Sequence, residues 1–281
     1  MRKIIFFICF LSSALVYGQV RIKDGLYNDG NNFMKFSANS QIETWNLNKD
    51  DYDRFDDDPD FDYSSIPSLP KMNRRLGTFS INNENGIDFI SIRWDNSTTN
   101  RYLLLLYADG SPLLYTSDSG PYFDSDTHTG GMFGHLKRGD SDWIKASSSL
   151  TEGSVRYSTD KLGLIIGECW AEGVKDYGIG ETLTLSLTQI YKLHISSGFV
   201  SFSKPHLFRD NTRIKRIKVT NEEGESEEIL LRDTPHFQEL KLKMSVYTGV
   251  AKKFKIEILE VYPGAKYTDT CINSIIAEGG Q

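Results

Sequence analysis

Leucine alternates with hydroxyl residues from position 182 to position 187, and this two-residue period constrains the fold more than any other feature of the chain. Successive side chains of a strand point to opposite faces, so the pattern predicts a β-strand with one buried face. The preceding residues 170–181 contain three glycines, two aromatic residues and four charged residues. This composition predicts an exposed loop at the end of a β-scaffold, where all-β proteins commonly carry binding sites.

Further strands are predicted at short intervals, separated by turn residues. In the first half of the chain they span residues 33–36, 42–47, 77–81, 87–94, 102–107 and 112–115. In the second half they span residues 191–195, 214–220, 228–231, 240–246 and 254–261. Residues 82–86, Asn-Asn-Glu-Asn-Gly, form a hairpin loop in this interpretation. No amphipathic helix of ordinary length is predicted after the first 18 residues.

The pattern therefore predicts an all-β protein with two domains. Residues 19–139 form a small antiparallel barrel or sandwich, and residues 140–281 form a β-sandwich. Residues 117–139 are rich in glycine, serine and aspartate, and are interpreted as a linker or a long loop. In the predicted strand 87–94, Ile87 and Phe89 fall on one face while Ile90 and Ile92 fall on the other. We therefore expect both faces of this strand to be covered.

The first 18 residues predict a signal peptide. Arg2 and Lys3 precede an almost entirely apolar stretch from Ile4 to Val16, and Gly18 is a small residue at the expected cleavage site. Cleavage before Gln19 would place the mature protein outside the cell or in the periplasm or envelope. The apolar stretch is shorter than the roughly 20 residues that a membrane span requires, and no later stretch is apolar enough to be one.

Bulk properties exclude some functions and leave others open. The net charge of −6 gives no basic surface of the kind that binds nucleic acid. No catalytic motif and no metal-ligand spacing is found, so neither an enzymatic activity nor a cofactor is expected. After cleavage two cysteines remain, Cys169 and Cys271. They could form one disulfide in an oxidising compartment, or stay two separate buried thiols.

Four sequence blocks carry a family resemblance. They are Ile-Lys-Ala-Ser-Ser-Ser-Leu at residues 144–150, Trp-Ala-Glu-Gly at 170–173 followed by Gly-Ile-Gly-Glu at 178–181, Asn-Thr-Arg-Ile-Lys-Arg-Ile at 211–217, and Val-Tyr-Pro-Gly-Ala-Lys-Tyr-Thr-Asp-Thr-Cys-Ile at 261–272. In this order they resemble the discoidin-like, coagulation factor V/VIII type C superfamily. The closer resemblance is to the glycan-binding domain first associated with secreted bacterial NAD glycohydrolases. It covers about residues 143–276 and implies a jelly-roll sandwich that binds glycans.

Two departures from the family pattern limit what the resemblance implies. Asn273, Ser274 and Ile275 stand where the family commonly has Ser-Glu-Ile. Residues 161–167 replace the Asp-Gly turn at which many related domains bind calcium, so a structural calcium ion is not expected. The glycohydrolase activity of those toxins belongs to a separate catalytic domain, and no such domain is recognised in this chain.

The predicted function is therefore non-enzymatic glycan binding. Sugar rings pack on aromatic side chains, and their hydroxyls need hydrogen-bonding partners. The candidate binding residues are Trp170, Glu172, Asp176, Tyr177, Asn211, Arg213 and Tyr267. Two alternatives stay open: an enzyme whose catalytic site lies in the first half, with the second half as its targeting module, or a protein-interaction module of the cell envelope.

Overall fold

The structure is a computed structural model that describes residues 20–29, 32–51, 53, 66, 68–121, 123–124, 133–134, 143–187, 190–244 and 252–279. The predicted signal peptide and the predicted domain boundary at residues 139–140 lie outside these residues. About half of the chain is strand, and the all-β prediction is confirmed. No helix in the described part of the chain combines the length and the apolar character needed to cross a membrane.

The first half of the molecule, residues 20–124, is an antiparallel meander whose strands follow one another in chain order. It curls so that its first strand lies close to its last. Its interior is filled by apolar side chains, among them Phe36, Ile90 and Leu104. The strands are β1 (Gly25–Asp29), β2 (Asn32–Ser37), β3 (Gln41–Asn46), β4 (Met72–Glu84), β5 (Ile87–Trp94), β6 (Thr99–Leu106), β7 (Pro112–Tyr115) and β8 (Phe123–Asp124).

The loop between β4 and β5 is shorter than predicted. Glu84 pairs with Ile87, so only Asn85 and Gly86 connect the strands, instead of five residues. Both have positive φ, 54° and 89°. Two such residues form the tight hairpin turn whose twist matches that of the flanking strands, and Asn-Gly is the sequence that favours it. This turn extends the hairpin towards the second half of the chain.

The second half, residues 133–279, is built on a larger sheet. Its strands are β9 (Phe133–Gly134), β10 (Ile144–Ala146), β11 (Thr151–Glu152), β12 (Val155–Arg156), β13 (Trp170–Ala171), β14 (Thr182–Leu187), β15 (Ile190–Ser197), β16 (Thr212–Asn221), β17 (Ser226–Leu230), β18 (Gln238–Glu239), β19 (Lys252–Tyr262) and β20 (Thr270–Gly279). The main path of the sheet runs β10-β14-β19-β16-β20-β15-β18. In addition, β13 and β9 pair with β20, β17 pairs with β16, and β11 and β12 form a separate hairpin. A short helix spans Leu207–Asp210, and 3₁₀ turns span Ala38–Ser40 and Thr159–Lys161.

The alternating leucines occupy β14 as predicted. Leu183, Leu185 and Leu187 are buried, whereas the hydroxyl residues between them are half-buried. The leucines join a single apolar core with side chains such as Trp170 and Ile272. This core lies between the layers of a β-sandwich.

One predicted strand is wrong, and one long strand was not predicted. Of the predicted strand at residues 240–246, residues 240–244 do not form a strand: Lys243 and Met244 donate their backbone N–H groups to the side chain of Glu227. Residues 245 and 246 lie outside the described residues. The sequence analysis also missed β20. Its residues are buried from Cys271 to Ala277 irrespective of face, so neither alternation nor polarity marks it as a strand.

The two halves are joined by an apolar seam. On the first half it consists of outward-facing side chains of β5, β6 and β7, including Phe89, Leu105 and Tyr115; on the second half it includes Val200 and Phe208. This confirms the prediction that both faces of β5 are covered. The outer face is covered by the second half of the same chain.

Polar contacts also cross the seam. Phe237 N donates to Leu106 O at 2.9 Å, and Ile166 N donates to Ser119 O at 3.0 Å. Asp118 accepts hydrogen bonds from the loop that follows β15, including those of Ser201 Oγ and Phe202 N. Residues 117–139 are therefore more than a linker, since they contribute β8 to one sheet, β9 to the other, and a carboxylate to the seam.

Candidate functional site

The loop at residues 170–181 begins with a core residue. Trp170 is fully buried, and its Nε1 donates to Ser148 O at 3.1 Å. It also pairs with Ile272 across β13 and β20. The ring therefore stabilises the sandwich and offers no surface on which a sugar could stack.

Glu172 is buried beneath the same loop. Its carboxylate accepts the backbone N–H groups of Val174 at 2.8 Å and Thr270 at 3.3 Å. Burial raises its pKa, although these two hydrogen bonds act in the opposite direction. Gly178 packs so closely that an added Cβ would lie 2.4 Å from Glu172 Cγ. The carboxylate thus shapes the loop and is not available to a ligand.

Asp176 and Tyr177 lie at the exposed end of the loop. Asp176 has a φ of 76°, and the Tyr177 side chain is 37% exposed. Thr270 Oγ1 donates to the carbonyl oxygen of Tyr177 at 2.7 Å, which ties the loop to β20. These two side chains project from the surface, and neither lines either of the two cavities described below.

Arg213 is buried in an ion-pair cluster. Its Nε and Nη2 donate to the two carboxylate oxygens of Asp233 at 2.9 and 3.1 Å, and its Nη1 donates to Asn211 O at 2.7 Å. Arg209 adds a third bond to Asp233, at 2.6 Å. Burial alone would raise the pKa of Asp233, but the two guanidinium groups outweigh it and lower that pKa. The polar atoms of Arg213 are therefore occupied within the protein.

Two of the predicted residues, Asn211 and Tyr267, line the same cavity of about 870 Å³. We call this cavity the Tyr267 pocket. The rings of Tyr157 and Phe199 also line it, with centroids 6.4 Å apart in an edge-to-face arrangement. Its other lining side chains include Glu152, Asp269, Cys169 and Cys271.

Asn211 and Tyr267 present different groups to the pocket. Tyr267 is 38% exposed, and its backbone is fixed because its N–H donates to Asp210 O at 2.8 Å. Asn211 is only 7% exposed, and its Nδ2 donates to Leu207 O at 2.9 Å. Its Oδ1 has no hydrogen-bonding partner among the described residues. The pocket thus combines accessible aromatic surface with an open acceptor.

Cys169 and Cys271 are buried free thiols that lie in contact. Cys271 pairs with Ala171 across β13 and β20, and the Cys169 thiol lies within hydrogen-bonding range of the Cys271 thiol. Burial, followed by this contact, raises the pKa of Cys169 well above its usual value. In the structure both are free, buried thiols, and they form an adjacent pair in the pocket wall.

The sequence analysis missed Tyr157, Phe199 and Asp269 as pocket residues. Asp269 lies within the block at residues 261–272, so its position beside Tyr267 could have drawn attention to it. No local pattern distinguishes Tyr157 or Phe199. Within the residues that the structure describes, no group of three or more His, Cys, Asp or Glu side chains could hold a metal ion.

The sandwich and the cavity beside its loops define a binding module of the F5/8 type C kind. A family model described as the NAD glycohydrolase translocation F5/8 type C domain matches residues 137–278, just over half of the 281-residue chain. The chain belongs to this family. A search of the curated proteins found no match.

Proposed function

We propose that this chain is an exported, non-enzymatic glycan-binding protein and that the Tyr267 pocket is its ligand site. Membership of the F5/8 type C family supports a module that binds carbohydrate or protein. The observation that carries the choice of carbohydrate is the combination of Tyr157, Phe199 and Tyr267 with the open acceptor of Asn211 in one cavity. The N-terminal sequence supports export.

The chemistry of the pocket suits a sugar. The C–H faces of a pyranose pack on aromatic rings, and its hydroxyls donate to acceptors such as an amide oxygen. Tyr267 is well placed for the first role because its ring is accessible while its backbone is fixed. Asn211 suits the second role because its Nδ2 is already used, which leaves the oxygen for the ligand.

A glycan array followed by calorimetry on the chain from residue 19 to residue 281 tests the proposal. We expect Tyr267→Ala to weaken binding about tenfold, because it removes the exposed aromatic face on which a sugar ring would pack, and a tenfold change corresponds to about 1.4 kcal/mol. Tyr177→Ala is the matched control, since Tyr177 is equally exposed but lies outside the pocket. Binding to no glycan, or equal losses in the two variants, would contradict the proposal.

A second cavity brings together carboxylates of the kind that the enzymatic alternative needs. It measures about 710 Å³, lies between the two halves and is lined by Asp24, Asp88 and Asp233. Asp233, however, is held by two arginines. His236 is also fully engaged: its Nδ1 accepts from Leu106 N and its Nε2 lies 3.0 Å from Asp88. Neither ring nitrogen of His236 is therefore left to take a proton from a substrate.

A further inference from the structure

Cys169 and Cys271 are neighbouring thiols beside the short ladder that joins β13 to β20. Cys271 pairs with Ala171 in that ladder, and Cys169 precedes Ala171 by two residues, so strand alternation places both cysteines on one face. All three side chains belong to the same buried cluster. The Cys169 thiol also lies within hydrogen-bonding range of the Cys271 thiol. The two sulfur atoms are therefore close enough for a reaction that involves both.

A disulfide between them requires only a small movement of Cys169. Diagonal neighbours in an antiparallel sheet have Cα atoms about 7–8 Å apart, and a disulfide spans up to about 7 Å. Cys271 is held in place, because its carbonyl oxygen accepts from Gly198 N at 2.8 Å. The N–H and C=O groups of Cys169 form no hydrogen bond with the backbone of another described residue. Cys169 can therefore approach Cys271 without breaking a backbone hydrogen bond of its own.

Both thiols can be reached from the Tyr267 pocket. Each cysteine lines this pocket, although Cys169 is fully buried and Cys271 is only 2% exposed. A small molecule that enters the pocket therefore meets the pair, whereas the surface of another protein does not. Burial raises the pKa of Cys169, so its reactive thiolate is scarce at neutral pH and becomes more abundant as the pH rises. We expect the pair to react slowly at neutral pH and faster in alkaline solution.

We propose that Cys169 and Cys271 form a modification site, at which a low-molecular-weight disulfide oxidises the two thiols to one intramolecular disulfide. The thiolate of one cysteine attacks a sulfur of the reagent, whose S–S bond breaks, and half of the reagent leaves as a thiolate. The second cysteine then attacks this mixed disulfide and releases the other half. The two leaving thiolates take up the two protons that the cysteines lose. Two protein thiols are oxidised, and one reagent disulfide is reduced to two thiols.

The new bond would fasten the wall of the Tyr267 pocket. It would link the segment before β13 to β20, and the pocket residues Tyr267 and Asp269 lie directly before β20. A cross-link that closes a loop as long as that from residue 169 to residue 271 strongly restricts the unfolded chain. We therefore expect the oxidised protein to melt about 5–10 °C higher than the reduced one. This inference concerns the pocket wall and does not depend on the proposed glycan binding.

Bis(2-hydroxyethyl) disulfide, a small neutral reagent, tests the proposal on the folded chain from residue 19 to residue 281. Mass spectrometry of the intact protein should show the loss of two hydrogen atoms without a retained adduct, and peptide mapping should link Cys169 to Cys271. Iodoacetamide, applied after unfolding, should then label neither cysteine. The reaction should be faster at pH 9 than at pH 7. A reductant should reverse both the mass change and the rise in melting temperature.

Cys169→Ala is the control, because it leaves Cys271 without its partner. The same treatment should form no intramolecular bond in this variant, and its melting temperature should not rise. If the variant does not fold, the parent before and after reduction supplies the comparison. A mixed disulfide that persists on the parent, a bond between two protein molecules, or two cysteines that both still react with iodoacetamide would each overturn the proposal. These outcomes would leave the result of the glycan array unaffected.

Discussion

The seam and the Tyr267 pocket have opposite chemistry but share one wall. Residues 199–211 form it: Phe199, His206 and Asn211 line the pocket, whereas Val200 and Phe208 are buried in the seam. The buried side chains of the seam are mainly apolar, whereas the pocket is open and lined by aromatic and polar side chains. The first half therefore contacts the segment that forms this wall, although none of its described residues lines the pocket.

The largest expected effect is on the seam. Phe208 is fully buried and packs against the Asn85–Gly86 turn of the first half. Phe208→Ala should lower the free energy of unfolding by about 3–5 kcal/mol, because it removes a large apolar side chain and leaves a cavity. Denaturant unfolding measures this. Leu230→Ala is the control, since Leu230 is 65% exposed, and equal small losses in both variants would show that the seam is not tightly packed.

A smaller effect is expected at the turn that meets Phe208. Gly86 has a φ of 89°, and an added Cβ would lie 2.6 Å from Arg209 Nε and 2.7 Å from Phe208 Cδ1. Gly86→Ala should therefore cost about 1–3 kcal/mol in the free energy of unfolding. Gly224→Ala has a similar φ of 84° with no neighbour within 4 Å, so it isolates the backbone strain from the clash. Identical losses in the two variants would mean that contact across the seam adds nothing.

Asp118 tests whether the seam positions the pocket. Its carboxylate, from the first half, accepts hydrogen bonds from Ser201 Oγ and from the backbone of Phe202 and Ser203. Asp118→Ala should lower the free energy of unfolding by about 1–3 kcal/mol, since it leaves these donors unsatisfied.

The same variant should also weaken ligand binding severalfold, because the loop it holds continues into Lys204 and His206 of the pocket. Calorimetry on the folded variant separates this from the stability loss. Asp109→Ala is the control, because Asp109 is another exposed carboxylate of the first half and its partners Lys23 and Ser111 belong to the first half. If Asp118→Ala binds the ligand with unchanged affinity, Asp118 stabilises the seam but does not position the pocket wall.

The smallest expected effect is a difference in how stability depends on pH, because the pKa values of Asp233 and Asp269 are shifted in opposite directions. Beside the seam, the pKa of Asp233 is lowered, so its stabilising contribution is present above its ordinary pKa of 3.8 and is lost as the pH falls through the lowered value. In the pocket the pKa of Asp269 is raised, so its contribution is present below the ordinary pKa of 3.8 and is lost as the pH rises through the raised value.

Unfolding measured from pH 3 to pH 7 should therefore show opposite changes. Asp233→Asn should be less stable than the parent at neutral pH, with the difference shrinking in acid. Asp269→Asn should be no less stable than the parent at neutral pH, and any gain should vanish in acid. The same sign of change in both variants would contradict the contrast between seam and pocket.

The sequence predicted the features that depend on local periodicity. The leucines of β14 and the two covered faces of β5 were recognised because alternation, or its failure, directly reports burial. The family blocks also contain Asn211 and Tyr267, which line one cavity in the structure. The block positions could not reveal that the guanidinium group of Arg213 is already hydrogen-bonded within the protein, because its partner Asp233 lies 20 residues away and outside any block.

The remaining features depend on tertiary contacts. Tyr157 and Phe199 meet only because separate loops converge at one end of the sandwich. Strand β20 contains Asn273 and Ser274 in a fully buried position, which hides it from an analysis based on apolar residues. The seam also depends on tertiary contacts. The sequence therefore predicted that the outer face of β5 is covered, but not that the second half of the chain covers it.

The seam has a practical consequence for dissecting this protein. A fragment that starts at residue 140 would expose Ile166, Val200, Phe208 and Phe237 to water, and contiguous apolar patches of this kind promote aggregation. Conversely, a protease site engineered between residues 124 and 143 should yield two pieces that still co-purify. The two halves would then behave as non-covalent subunits encoded by one chain.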